Sequence, residues 1–164
     1  ERGIILLTAY DQLHQIFDHQ DDYLRSRLTF DWQKGDFEET RKGHLEKFNS
    51  VIVTVKATTG VNLPYDESRF QIILKAPYVR EVIEGLDFRA EIIKERDPQR
   101  YWLKSAFRLV QYCGRSVRHI DDHAVTYALD GSVKYMVRNN REHLPKWFLD
   151  AYEEGWAGSM ERMN

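Results

Sequence analysis

Val51-Ile52-Val53-Thr54-Val55 is β-branched throughout, and that run constrains the fold more than any other feature. Two heavy atoms on each Cβ stiffen a residue and suit it to a pleated surface. Apolarity at consecutive rather than alternate positions marks a strand buried on both faces. Gly3-Ile4-Ile5-Leu6-Leu7-Thr8 has the same character. Arg27-Leu28-Thr29-Phe30 is a weaker strand, Phe70 to Leu74 is a strand stopped by Pro77, and Ala124 to Leu129 is a last one. Between them lie segments of helical spacing: Tyr10 to His19, with Leu13, Ile16 and Phe17 on one side; Asp36 to Phe48, anchored by Phe37, Leu45 and Phe48; Pro98 to about Arg118; and Leu144 to Tyr152. Strands alternating with helices predict βαβ units and an α/β fold whose parallel sheet is covered on both faces. No repeat or linker divides the 164 residues, so a single domain over 1–164 is expected.

Several function classes fall away. The apolar runs are too short to span a bilayer. One cysteine, Cys113, excludes an internal disulfide and a four-thiolate metal site, so a cytoplasmic location is the expectation. A net charge of −2 gives no global field for a polyanion, and any such contact must come from a local patch. The chain starts at Glu1 rather than Met and is expected to be an excised part of a longer one.

Ligands of open α/β sheets bind at the carboxyl ends of the strands. The loop after Val55, Lys56 to Pro64, offers Thr58, Thr59 and Gly60 there; hydroxyls and close backbone approach suit phosphate oxygens, although ordinary turns use the same residues. Gln99 to Ile120 holds no Asp or Glu, yet carries Arg100, Lys104, Arg108, Arg115 and Arg118. With Gln111 these fall within an arc of about 80° on a continuous helix. Trp102, Leu103, Ala106, Leu109, Val110, Cys113 and Val117 take the other side. Such a ridge suits an anion or carboxylates from elsewhere in the fold. Gly114 is expected to end or bend the helix.

Two other signals are set aside. Asp66-Glu67-Ser68-Arg69 imitates a Mg²⁺-holding acidic box but follows a loop, not an apolar strand. His119, Asp121, Asp122 and His123 are adjacent residues of a kind that seldom converge on one metal ion, and no metal site is expected. Cys113, on the apolar side of its helix, reads as an inert core thiol.

Gln111-Tyr112-Cys113-Gly114-Arg115-Ser116-Val117-Arg118 resembles the Q-x-x-G-R-x-x-R motif VI of superfamily 2 helicases. Thr58-Thr59-Gly60-Val61-Asn62-Leu63 is similar to motif V of the XPD- and DinG-like branch, S-E-G-[IV]-D-[FL], with Asn62 for the usual Asp and Thr59 for the common Glu. Ser68 to Tyr78 resembles the strand and K-x-P-[YF] turn that follow. Asp122 to Asp130 and Leu144 to Phe148 match the C-terminal course, and Gly3 to Tyr10 looks like the motif IV strand, with Ala9 for Ser.

The resemblance implies a RecA-like three-layer domain, the second motor domain of an ATP-dependent DNA helicase, without the helix that usually precedes its first strand. Since no G-x-x-x-x-G-K-[ST] occurs in the chain, ATP and Mg²⁺ would be held mainly by an absent first RecA-like domain. The resemblance further implies Arg115 and Arg118 as arginine fingers, Arg118 foremost, with Gln111 positioning the nucleotide or its water. Gly60, Asn62 and Gly114 would line the nucleotide site, and Thr8, Thr54 and Thr58 would meet phosphates of single-stranded DNA. The alternative is a helicase-like module that has lost catalysis and serves as a nucleic-acid or assembly platform, which Asn62 favours.

Overall fold

The structure is a computed structural model describing residues 1–32, 36–56, 61–78, 94–117, 119 and 121–163. Five short segments form one sheet: β1 (Gly3–Leu6), β2 (Leu28–Phe30), β3 (Val51–Thr54), β4 (Phe70–Ile73) and β5 (Val125–Ala128). Their order is β2-β3-β1-β4-β5, and every pairing is parallel. All five strand segments read from the sequence are therefore present, in an α/β, RecA-like arrangement. Among the described residues the helices are α1 (Tyr10–Asp18), α2 (Asp22–Arg27), α3 (Phe37–Glu46), α4 (Pro98–Cys113), α5 (Ser132–Asn139) and α6 (Lys146–Met163).

The chain divides into two compact units. The first comprises Glu1–Pro77 and Gln111–Gly131 and contains the whole sheet; the second comprises Tyr78–Val110 and Ser132–Asn164. Alternation along each strand sends successive side chains to opposite faces. On one face Leu7, Leu28, Val51 and Val53 bury themselves with Leu13 of α1. On the other, Ile4, Leu6, Ile52 and Ile73 are fully buried, each contributing about 1.5–3 kcal/mol of transfer free energy. Gly3 pairs with Phe70, whose ring lies directly over it, so that a Cβ on Gly3 would run into Phe70 Cζ.

The second face is not purely apolar, since Thr54 and Gln71 are equally buried there. Buried polar groups cost free energy unless hydrogen-bonded, and the partners of these two lead to the site described below. In the second unit α5 buries Val133, Met136 and Val137, at the i, i+3, i+4 spacing of one helical face. Asn140 Nδ2 donates to the Met136 carbonyl at 2.8 Å, satisfying a group that the end of α5 leaves without a helical partner.

Four expectations need correction. Helix α3 ends at Glu46, so Phe48 leaves the helical face and is 89% exposed, while His44 is buried in the role given to it. Helical spacing that runs on to about Arg118 overreaches: helix α4 stops at Cys113, where Gly114 is expected to end it, and Arg115 is off the helical ridge. Trp102 and Val117, assigned to the core side, are exposed, and Tyr101, Ser105 and Tyr112 are buried instead. Strand β5 is an edge, and its Val125 and Tyr127, with Leu129 just past its end, are exposed rather than covered.

Candidate functional site

The parallel ladder carries on past the strand ends and brings the loops together. Leu7 N–H donates to the Thr54 carbonyl at 2.9 Å, and Asp31 N–H to the Val53 carbonyl at 2.9 Å. Thr8 therefore leaves β1 beside the end of β3. Its own amide donates to Gln12 Oε1 at 3.0 Å, which ties the residue before N-cap Ala9 to the first turn of α1.

At the end of β3, Thr54 is fully buried and its hydroxyl is engaged twice. It donates to Asp31 Oδ2 at 2.6 Å and accepts from Lys56 N–H at 2.9 Å. The Lys56 ammonium meets Asp31 Oδ1 at 2.8 Å. Asp31 is wholly buried, a position a carboxylate tolerates only with such partners. Of these three, the sequence points to Thr54 alone. The signal for the other two is positional, each lying just past the end of its strand.

The loop after α4 meets the loop after β3. Arg115 Nη1 donates to the Val61 carbonyl at 3.2 Å, and Leu63 N–H donates to the Arg115 carbonyl at 3.4 Å. Val61 and Leu63 are buried anchors, while Asn62 between them is exposed. Gln111 is exposed on the last turn of α4, and Gly114 is half-buried in the turn that follows. Arg118, Thr58 and Gly60 lie outside the described residues.

A buried polar network fixes this second loop on the sheet. Gln71, in β4, donates from Nε2 to the Cys113 carbonyl at 2.8 Å and to Thr126 Oγ1 of β5 at 2.6 Å. Ser116 Oγ donates to Gln71 Oε1 at 3.3 Å and lies 2.7 Å from Ser68 Oγ. Gln71, Ser116 and Ser68 are all fully buried. Fully satisfied networks of this kind specify one arrangement of the chain. Cys113 sits at its edge, and burial pushes its thiol up to about 12, against the opposing effect of a hydrogen bond with Thr126.

The two sequence signals that were set aside have structural partners. Asp66 pairs with Arg69 at 2.8 Å, and Glu67 Oε2 accepts from Arg41 Nε at 2.7 Å. Asp122, buried, accepts from Arg69 Nη1 at 3.1 Å and from Tyr65 N–H at 3.0 Å. The latter bond holds Tyr65 at φ 53°, a left-handed conformation that a non-glycine residue adopts at a cost. His119 stacks on the Tyr65 ring at 5.2 Å, with 6° between the planes. Among the described residues no group of three or more His, Cys, Asp or Glu side chains is placed to hold a metal ion, and no helix is long and apolar enough to cross a membrane.

The geometry thus joins the motif VI-like turn to the motif V-like loop, beside the carboxyl ends of a parallel sheet. No curated protein matches the chain. Residues 1–151 match the family described as Helicase C-terminal domain, a nucleic-acid motor domain whose full-length members use ATP and Mg²⁺. The chain belongs to that family, as a C-terminal helicase domain of the XPD- and DinG-like type.

Proposed function

We propose that this chain is the second motor domain of an ATP-dependent DNA helicase. It completes an ATP site carried by a first RecA-like domain and grips the backbone of single-stranded DNA. The observation that carries the reading is the double tie between Arg115 and the Val61–Leu63 loop, because it couples a nucleotide-facing turn to a strand-end loop within the first unit. Phosphoryl transfer needs positive charge opposite the developing charge on the γ-phosphate. An arginine delivered from the second domain supplies it only when the cleft closes, so closing and reopening convert hydrolysis into stepping.

In this reading Arg118 is the finger. Arg115 positions the loop and faces phosphate, Gln111 orients the nucleotide or its water, and Gly60, Asn62 and Gly114 line the nucleotide. Thr8, Thr58 and Thr54 meet DNA phosphates, Thr54 by exchanging its bond to Asp31. Mg²⁺, with ATP, would be held mainly by the first RecA-like domain.

The test is Arg118→Ala in the full-length protein. DNA-stimulated kcat should fall about 10²-fold or more with little change in ATP binding, since such fingers contribute on the order of 10³–10⁵ in the transition state. Arg118→Lys should restore little, because an ammonium lacks the planar fork. Unchanged turnover would make Arg118 structural. Absence of ATP hydrolysis in the unaltered full-length protein, with DNA binding retained, would favour the non-catalytic module.

A further inference from the structure

Asp31 is wholly buried at the carboxyl edge of the sheet, just past β2, and its bonds run to the point where the chain leaves β3. Its amide donates to the Val53 carbonyl at 2.9 Å. Its Oδ2 accepts from the Thr54 hydroxyl at 2.6 Å, and its Oδ1 from the Lys56 ammonium at 2.8 Å. The same hydroxyl accepts from Lys56 N–H at 2.9 Å. Lys56 is therefore held by backbone and side chain together, and the direction of the chain after β3 is set from the neighbouring strand.

Stability does not account for this choice of residues. Apolar side chains of similar volume commonly serve as well as a buried ion pair, or better, and Ile4, Leu6 and Ile52 fill the same face of the sheet. What a carboxylate adds to such a face is direction, because each oxygen fixes a donor. The loop that starts here is also tied at its far end, where Arg115 bonds to Val61 and Leu63. One stretch of chain thus runs between two anchors taken from different elements, both within the first unit.

We propose that Asp31 is a positioning residue for the DNA side of this loop. The inference rests on the motor reading above and adds to it a division of labour between the anchors. Asp31 sets Thr54 and the residues that follow Lys56, with Thr58 next but one in the sequence. Arg115 sets Asn62, on the nucleotide side. Asp31 touches neither ligand and acts through Thr54 and Lys56. Ligands of parallel sheets bind at this edge, so a shift in the exit of β3 displaces a phosphate contact while the ATP chemistry stays in place.

The experiment follows ATP hydrolysis by the full-length protein against oligothymidylate concentration, with urea melts of each variant. Asp31→Asn keeps an oxygen for Thr54 but loses the charge opposite Lys56. Asp31→Leu combined with Lys56→Met replaces the pair by apolar volume and guards against a folding defect, so its melt should lie close to that of the unaltered protein. In both, the half-saturating oligothymidylate concentration should rise about ten- to 100-fold, the effect of misplacing one hydrogen bond to a phosphate. KM for ATP and kcat at saturating DNA should change by less than about threefold. Lys56→Arg, which keeps a cation opposite Asp31, should retain most of the DNA affinity. The salt dependence of binding should keep its slope, because no cation has left the phosphates.

An unchanged DNA requirement in the folded double variant overturns the inference and leaves the motor reading standing. Equal losses in the DNA and ATP parameters, or loss of folding in both variants, make the group a general support and overturn it too. A shallower salt slope in the double variant would place Lys56 on phosphate directly. Tighter DNA binding in Asp31→Asn would make the carboxylate a competitor of DNA for Thr54. Either result overturns the positioning role. If hydrolysis by the unaltered protein does not respond to DNA, the motor reading itself falls, and the inference with it.

Discussion

Arg115 Nη1 donates to the Val61 carbonyl at 3.2 Å, while the Arg115 carbonyl accepts from Leu63 N–H. The guanidinium therefore holds a neighbouring loop as well as carrying charge. Arg115→Ala should cost about 1.5–3 kcal/mol of stability, the range for a hydrogen bond to a charged donor. In the full-length protein it should weaken nucleotide binding and kcat together, unlike Arg118→Ala, which acts on kcat. Denaturant melts set beside initial-rate kinetics separate the two, and unchanged stability in Arg115→Ala would show that the bond to Val61 contributes nothing.

Gln71 is the hub of the buried network, and truncating it strands the Cys113 carbonyl, takes a donor from Thr126 Oγ1 and leaves Ser116 Oγ with Ser68 alone. Gln71→Ala should destabilise the chain by about 2–4 kcal/mol, since each stranded buried group costs about 1–3 and a small cavity is added. Gln71→Met combined with Thr126→Val should be less destabilising than Gln71→Met alone, because the second change removes a hydroxyl that has lost a donor. A double-mutant cycle measured by urea unfolding tests this. Strict additivity would mean that Gln71 and Thr126 do not act as a unit.

How much of this was legible follows the range of the interactions. The strands were visible because their apolar and β-branched runs are local, and Gly114 gave the end of α4. The motif VI-like and motif V-like segments could be read as spacings, but their junction through Arg115 and Val61 spans 54 residues. Gln71 reads as a lone polar break in Phe70–Leu74, and its partners lie 42 to 55 residues away. Nothing local says whether such a residue is a defect or a hub. In α3 the few apolar residues leave the buried face undetermined, and hydrophobicity alone points to Phe48 as an anchor, whereas His44 is the residue buried. Helix α2 escaped notice because it has six residues and buries none of them, resting instead on Asp21, which accepts from Leu24 N–H at 2.7 Å.

His44 makes an acid-sensitive spot. Its Nε2 lies 2.7 Å from the Glu67 carbonyl, and its Nδ1 is buried with no hydrogen-bond partner. The carbonyl can only accept, so Nε2 carries a proton. Burial lowers its pKa, helped by the nearby Arg2 and Arg41 charges and opposed by the bond to Glu67. A folded pKa below the unfolded value, about 6.5, means that the unfolded chain binds the extra proton first. Stability should therefore fall as pH drops below about 6.5, continue falling until the folded pKa is reached, and be indifferent to His44 above about 7.5. His44→Gln, which keeps a donor for the Glu67 carbonyl, should flatten that slope. Parallel urea melts from about pH 5 to 8 decide it, and equal slopes in the two proteins would clear His44 of the effect.

Cys113 is the only cysteine of the chain, so its labelling is a clean readout of the network around it. Burial pushes the thiol up to about 12, and the thiolate is the reactive form. At pH 8 roughly one thiol in ten thousand would be ionised in the folded protein, against a quarter or so for a solvated cysteine of pKa about 8.5. A small alkylating reagent should label the native chain at least about 10²-fold more slowly than the urea-unfolded one, as followed by mass spectrometry. The residual rate reports openings that expose the end of α4. Gln71→Ala should therefore speed labelling, because the bond from Gln71 to the Cys113 carbonyl closes that end. Labelling of the native chain at the unfolded rate would show the thiol to be open to solvent. An unchanged rate in Gln71→Ala would show that the network does not hold the turn from which Arg115 departs.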